Sequence, residues 1–131
     1  MPGCVLHASS GDFDVDAFLQ ASTLKPYRVF HRGEPRHPRQ SIYEESGFCV
    51  DVSTATDLRI EVNDAIRFIQ EHETELRRLT QALPPESVCL DFGHYQRDVA
   101  VQVDRLPPAL LRLAVMLGIG LTLSMYPPIS E

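Results

Sequence analysis

Four short runs of this sequence alternate apolar side chains with small or polar ones. Phe48, Val50 and Val52 alternate with Cys49 and Asp51, and Val88, Leu90 and Phe92 with Cys89 and Asp91. Val99, Val101 and Val103 alternate with Ala100, Gln102 and Asp104, and Ile119, Leu121, Leu123 and Met125 with Gly120, Thr122 and Ser124. Successive side chains of a strand point to opposite faces, so each run predicts a strand with one apolar face and one face free of large apolar groups. Strands of this kind belong to an antiparallel sheet covered on one side only, since parallel sheets covered on both sides read as continuous apolar runs.

The remaining segments supply the cover. Residues 4–8 and 27–31 read as two further strands. A helix is predicted from Asp14 to Ser22, with Asp14 as its N-cap and Phe13, Ala17, Ala21 and Leu24 at helical spacing as its buried stripe. From Leu58 to Leu83 an apolar stripe runs through Val62, Ala65, Ile69, Leu76 and Leu79, which favours one long helix capped by Asp57. The alternation of Leu58, Ile60 and Val62 with Arg59 and Glu61 admits a short strand there instead, with Asn63 capping a shorter helix. Pro84-Pro85 ends the element in either case. Pro107 opens a last helix and Gly118 closes it. Residues 87–93 and 99–104 read as a hairpin around the polar turn 94–98. The expected fold is therefore α+β in one domain, 1–131. It has a largely antiparallel sheet of five to six strands with two to three helices on one face, a ferredoxin-like or related sandwich.

The charge balance narrows the partners. With 12 basic and 18 acidic residues the formal charge is −6, which would on average repel phosphate, so nucleic acid is not an expected partner and a basic protein surface is. Cys4, Cys49 and Cys89 are odd in number and contain no C-x-x-C pair, which fits free thiols in a reducing compartment. The first residues lack the basic start and apolar run of a signal peptide, so the expected location is cytoplasmic. From Leu106 to Met125 Arg112 is the only charge, but Pro107, Gly118 and the change of period read as helix, turn and strand, not a membrane span.

Two residue sets are candidate binding sites. The first is the face opposite the core, where Asp51, Asp91, Gln102, Asp104 and Thr122 would form an acidic platform for a basic partner or a second subunit; its plain alternative is a solvated sheet face. The second is the Arg-rich segment, in which Arg28, His31, Arg32, Arg36 and Arg39 stand with Lys25 and His37 against the single acid Glu34, a pattern that suits an anion or an acidic surface as well as an ordinary solvated loop. His72, between Phe68, Ile69 and Leu76, reads as a core histidine with one hydrogen bond. Asp12, Asp14 and Asp16 mimic the start of a calcium loop, but Ala17 and Thr23 stand where glycine and the bidentate glutamate are needed. Neither Cys4 with His7 nor His31 with His37 completes a zinc set. No catalytic residue, metal or cofactor is assigned.

The early Asp-capped helix, the loop glycine Gly33, the run Glu71-His72-Glu73-Thr74-Glu75-Leu76 and the closing Gly118-Ile119 strand resemble the bacterial domain of unknown function 4279 family. The resemblance spans residues 14–126 and rests on fold pattern; the chain departs from it in having no tryptophan. It implies a small α+β domain of the bacterial cytosol, with immunity roles considered for some members, and carries over no catalytic residue. The leading expectation is a non-catalytic protein-binding module, plausibly an immunity protein that blocks a toxin. The alternatives are an anionic-ligand binder or cryptic enzyme built on the Arg-rich loop, and a homodimer formed through the platform or an edge strand.

Overall fold

A computed structural model of the chain describes residues 2–37 and 41–128. Among these, a five-stranded sheet is assembled from β1 (Gly3–Ser10), β2 (Arg28–Phe30), β5 (Ser46–Ser53), β6 (Val88–Tyr95) and β7 (Gly120–Tyr126) in the order β2-β5-β1-β6-β7. A separate two-stranded hairpin, β3 (Pro35–Arg36) with β4 (Ser41–Ile42), rises from the Arg-rich segment. Four helices complete the fold: α1 (Val15–Gln20), α2 (Leu58–Glu71), α3 (Glu73–Ala82) and α4 (Pro108–Leu117). The class is α+β as the patterning predicts. None of these helices is long and apolar enough to cross a membrane.

Alternation explains the sheet. Leu6 of β1 lies between Val50 and Leu90, and Ala8 between Phe48 and Val88, so the apolar side chains of three central strands share one face. On that face they are buried with Leu58, Val62, Ala65 and Ile69 of α2, Leu76 and Leu79 of α3, and Leu110 and Leu117 of α4. Phe13 and Phe18 close the α1 end by packing on Phe48, with ring centroids 6.1 and 5.9 Å from it. Side-chain oxygens of Asp14 and Asp57 accept backbone N–H bonds at the starts of α1 and α2, and Gly118 ends α4 in the left-handed conformation.

Ala17 and Ala21 of the expected α1 stripe are exposed, with Val15 and Phe18 buried instead, and three larger expectations are corrected. First, residues 99–104 form no strand, and Val101 and Val103 are 75% and 76% exposed. The place beside β6 is taken by β7, which pairs with it in parallel from Cys89↔Gly120 to Tyr95↔Tyr126. A parallel neighbour needs a crossover, which α4 supplies, so the predicted 87–104 hairpin gives way to a β-α-β unit and the sheet is mixed. Segment 96–107 is held by side chains instead: Arg97 N–H donates to Gln102 Oε1 (2.9 Å), and the Arg97 guanidinium to Asp104 Oδ1 (3.0 Å) and to the Val103 carbonyl (3.1 Å).

Second, the long helix is two. His72 (φ −116°, ψ 23°) leaves helical geometry and is at once the C-cap of α2 and the N-cap of α3, and its ring packs on Phe68 with centroids 4.6 Å apart. It is half-buried at this bend, and the apolar stripe continues beyond it through Leu76 and Leu79 on a new axis. The competing strand at 58–62 is absent, since these residues form the first turns of α2. Third, Leu123 and Met125 are exposed although they share the core-facing parity, because β7 is the sheet edge.

Candidate functional site on the open sheet face

Among the described residues no helix lies on the second face of the sheet, and its side chains follow from the register. One row crosses all five strands as Arg28, Cys49, His7, Cys89 and Gly120. The next row is Asp51, Val5, Asp91 and Thr122, and beyond it Gly3, Gly93 and Ser124 lie side by side. Three of the predicted platform residues, Asp51, Asp91 and Thr122, thus stand in one line across β5, β1, β6 and β7. Gln102 and Asp104 are not with them. With the strand at 99–104 gone, Gln102 donates to Asp104 Oδ2 (2.9 Å), while Asp104 faces His94 Nε2 at 3.3 Å. His94 shares the parity of Phe92 and so projects to the helix side of β6.

Around the Asp51–Asp91 row the face sinks into a cavity of about 520 Å3, floored by Gly3, Val5 and Gly93 and walled by Tyr27, Asp51, Asp91 and Tyr126. Gly3 has φ +126°, and a Cβ there would come within 2.7 Å of the Ser53 carbonyl, so the floor cannot be raised by a side chain without moving β5. Asp91 Oδ1 accepts from Ser124 Oγ at 2.7 Å, while Asp51 is exposed and has no ion-pair partner among the described residues. Carboxylates and phenol rings are both groups that attract a cation, the first by charge and the second by the ring face.

A second cavity, of about 730 Å3, adjoins at the β2 end, where Arg28, Arg32 and Arg36 meet His7, Cys49 and Tyr43. The Arg-rich segment therefore leans on the same face. Its cations are largely engaged. Arg28 donates to Tyr43 Oη and lies against the Phe30 and Tyr43 rings, at 5.9 and 5.8 Å, and Arg36 lies over the Tyr43 ring at 5.6 Å. Phe30 stacks on Tyr43, centroids 4.7 Å apart, which docks the hairpin against the sheet. Arg32 reaches the Gly11 carbonyl at 3.5 Å. Arg39 falls outside the described residues.

His31 is bound on both sides: Nδ1 meets Glu34 Oε1 at 2.7 Å and Nε2 meets Asp16 Oδ2 at 2.9 Å. These bonds, to Asp16 first and Glu34 second, raise its pKa above the ordinary histidine value. The link between β2 and α1 is accordingly complete below the ordinary histidine range and weakens as pH rises through the raised value. In an NMR titration the His31 ring protons are expected to shift at a lower pH in Asp16→Asn than in the wild type; an unchanged midpoint would remove Asp16 from this role.

Cys49 Sγ stands 3.2 Å from His7 Nδ1, the spacing of a thiol and its base. Burial pushes the Cys49 and Cys89 thiols up from their ordinary value, and Cys49 is only 1% exposed, the setting of a buried structural thiol. Among the described residues no group of three or more His, Cys, Asp or Glu side chains is placed to hold a metal.

No family model, curated protein or solved structure matches this chain. The site is therefore read from its own chemistry. Four of its contributors, Val5, His7, Tyr27 and Tyr126, carry no motif in the sequence. Val5 and His7 could have been placed by extending the alternation to β1, whose buried Cys4, Leu6 and Ala8 leave Val5, His7 and Ser9 for the other face. Tyr27 and Tyr126 lie at strand ends, where alternation alone does not tell rim from loop.

Proposed function

We propose that this chain is a cytosolic, non-catalytic protein-binding module that takes a basic segment of a partner protein onto its open sheet face. The architecture, which we read as a helix-on-sheet sandwich related to ferredoxin-like folds, buries its main apolar cluster under the helical layer and leaves the Asp51–Asp91 part of the other face open to a partner. The observation that carries the reading is the glycine-floored depression with Asp51 and Asp91 in one row between Tyr27 and Tyr126. It would receive a lysine or arginine side chain, and the overall charge of −6 would steer such a partner in. The immunity role, in which the partner is a basic toxin, draws on the resemblance to the domain of unknown function 4279 family. It is consistent with small size and acidic charge.

Site-specific photocrosslinking in the native host tests this reading. A crosslinker at the Val5 position, at the centre of the sheet on the cavity floor, is expected to capture a protein partner that one at the exposed Gln81 position, on α3, does not. Asp51→Lys is expected to weaken that capture roughly tenfold or more, since it places a like charge against the incoming cation. Equal capture from both positions, or capture indifferent to Asp51→Lys, would count against the docking face.

The Arg-rich cavity supports a second reading, binding of a small anion by Arg28, Arg32 and Arg36. It ranks below the first because Arg28 and Arg36 already lie on the aromatic rings of the hairpin.

A further inference from the structure

The two edges of the sheet are built differently. β2 is three residues long and carries Arg28, whose side chain is tied to Tyr43, so this edge is short and charged. β7 is seven residues long, Gly120–Tyr126, without a charge or a proline. Edge strands are ordinarily blunted by lysine, proline, bulges or shortness, and an unblunted one offers its backbone to another strand.

The register shows which backbone groups are on offer. The Gln96 N–H donates to the Tyr126 carbonyl at 2.9 Å, so Tyr126 turns toward β6. In a parallel ladder each residue directs its N–H and C=O to the same side and successive residues alternate. Thr122 and Ser124 therefore also turn toward β6, while Leu121, Leu123 and Met125 present both groups outward, with no backbone partner among the described residues. The side chains of these same residues point to the helix side, where Leu123 is 46% and Met125 57% exposed. The neighbouring α4 adds exposed Leu111, Val115 and Met116. Gln102, between the exposed Val101 and Val103 in sequence, reaches Met125 Sδ with its Nε2 at 4.0 Å.

We propose that β7 is the contact strand of a two-fold homodimer, in which two antiparallel β7 strands join their five-stranded sheets into one. The strand is complementary to itself in one register, centred on Leu123. There Leu121, Leu123 and Met125 face Met125, Leu123 and Leu121 of the second copy, so every outward N–H and C=O meets a group of opposite kind. On the helix side the facing pairs are all apolar. On the open side Thr122 faces Ser124, and Tyr126 lies over Gly120, where no side chain obstructs the ring. A shift of two residues in either direction leaves one end of this set unpaired. Since the strand has no charge, two copies of an acidic chain meet here without repulsion across the contact. The dimer does not depend on the docking function; it would set two open faces side by side.

Leu123 faces itself across the axis, and this makes the test decisive. In analytical ultracentrifugation the wild-type chain is expected to sediment at twice its 14.7 kDa mass. Leu123→Lys and Leu123→Glu are each expected to be monomeric, because like charges meet at the axis, and an equimolar mixture of the two is expected to regain the dimer. Circular dichroism would verify that both variants keep the wild-type fold, as substitution at a half-exposed edge position should allow. A wild type that is monomeric at its highest attainable concentration, as a β7 reserved for a foreign strand would make it, overturns the proposal. So does a dimer that survives Leu123→Lys, or a mixture that stays monomeric.

Discussion

Gly47→Ala is expected to destabilise the fold by about 3 kcal/mol or more, against roughly 1 kcal/mol for an ordinary substitution. Gly47 sits where β5 passes β1 and β2, opposite Ser9 and Phe30. A Cβ at this position would lie 2.2 Å from the Ala8 carbonyl oxygen, 2.5 Å from Ser9 Cβ and 2.8 Å from Phe30 Cζ. The phenyl ring could turn away, but the carbonyl belongs to the central strand and moves only with the sheet. Phe30→Ala should therefore fail to rescue Gly47→Ala, and a denaturant titration of the two single variants and the double would show this. A Gly47→Ala chain within 1 kcal/mol of the wild type would mean that β1 and β5 are not packed as described. Gly47 bears on the open face as well, because the Phe30–Tyr43 stack resting beside it brings the Arg-rich hairpin there.

A second large effect belongs to Glu61. This α2 residue is fully buried, and neither carboxylate oxygen has a hydrogen-bond partner among the described residues. Burial, with smaller contributions from Asp57 and Asp91, pushes its pKa up to about 7 from the ordinary 4.5. The folded state thus holds a proton that the unfolded chain gives up earlier. Below pH 4.5 both states are protonated and Glu61 costs nothing through its charge. Between pH 4.5 and about 7 the unfolded chain is ionised while the folded one is not, so stability falls as pH rises; above that window the loss is complete. At about 1.4 kcal/mol per unit the full loss is roughly 3 kcal/mol, and Glu61→Gln should recover most of it at pH 8 while changing little at pH 4. Urea titrations of both chains across this range would show the two stability curves converging at low pH. Parallel curves would contradict a protonated, buried Glu61.

How much of this was legible in the sequence depended on whether a signal was local. The strands β1, β5 and β6 and the caps at Asp14, Asp57 and Gly118 could be read because alternation and capping act within a few residues. The segment containing Val99, Val101 and Val103 alternates as well as any strand in the chain, yet pairs with no strand among the described residues. Two segments compete for the one place beside β6, and β7 holds it through the α4 crossover, a contest that no local pattern records. Gln102 and Asp104 were lost to the platform for the same reason. Asp51, Asp91 and Thr122 remained because their parity is a property of each strand, whereas their alignment in one row required the strand order. The bend at His72 was hidden because the apolar stripe runs through it unbroken. Glu61 was hidden because a charged residue on an otherwise apolar helical face reads like a surface position.

On the proposed function the open face, and not the helical layer, receives a cationic segment. Amide chemical shifts recorded while an arginine-rich peptide is titrated into the labelled protein address it most directly. Shifts are expected to concentrate at Val5, Asp51, Asp91 and Tyr126 and to be diminished by added salt and by Asp51→Lys. Shifts concentrated instead on α2, α3 and α4, or a pattern that Asp51→Lys leaves intact, would contradict it.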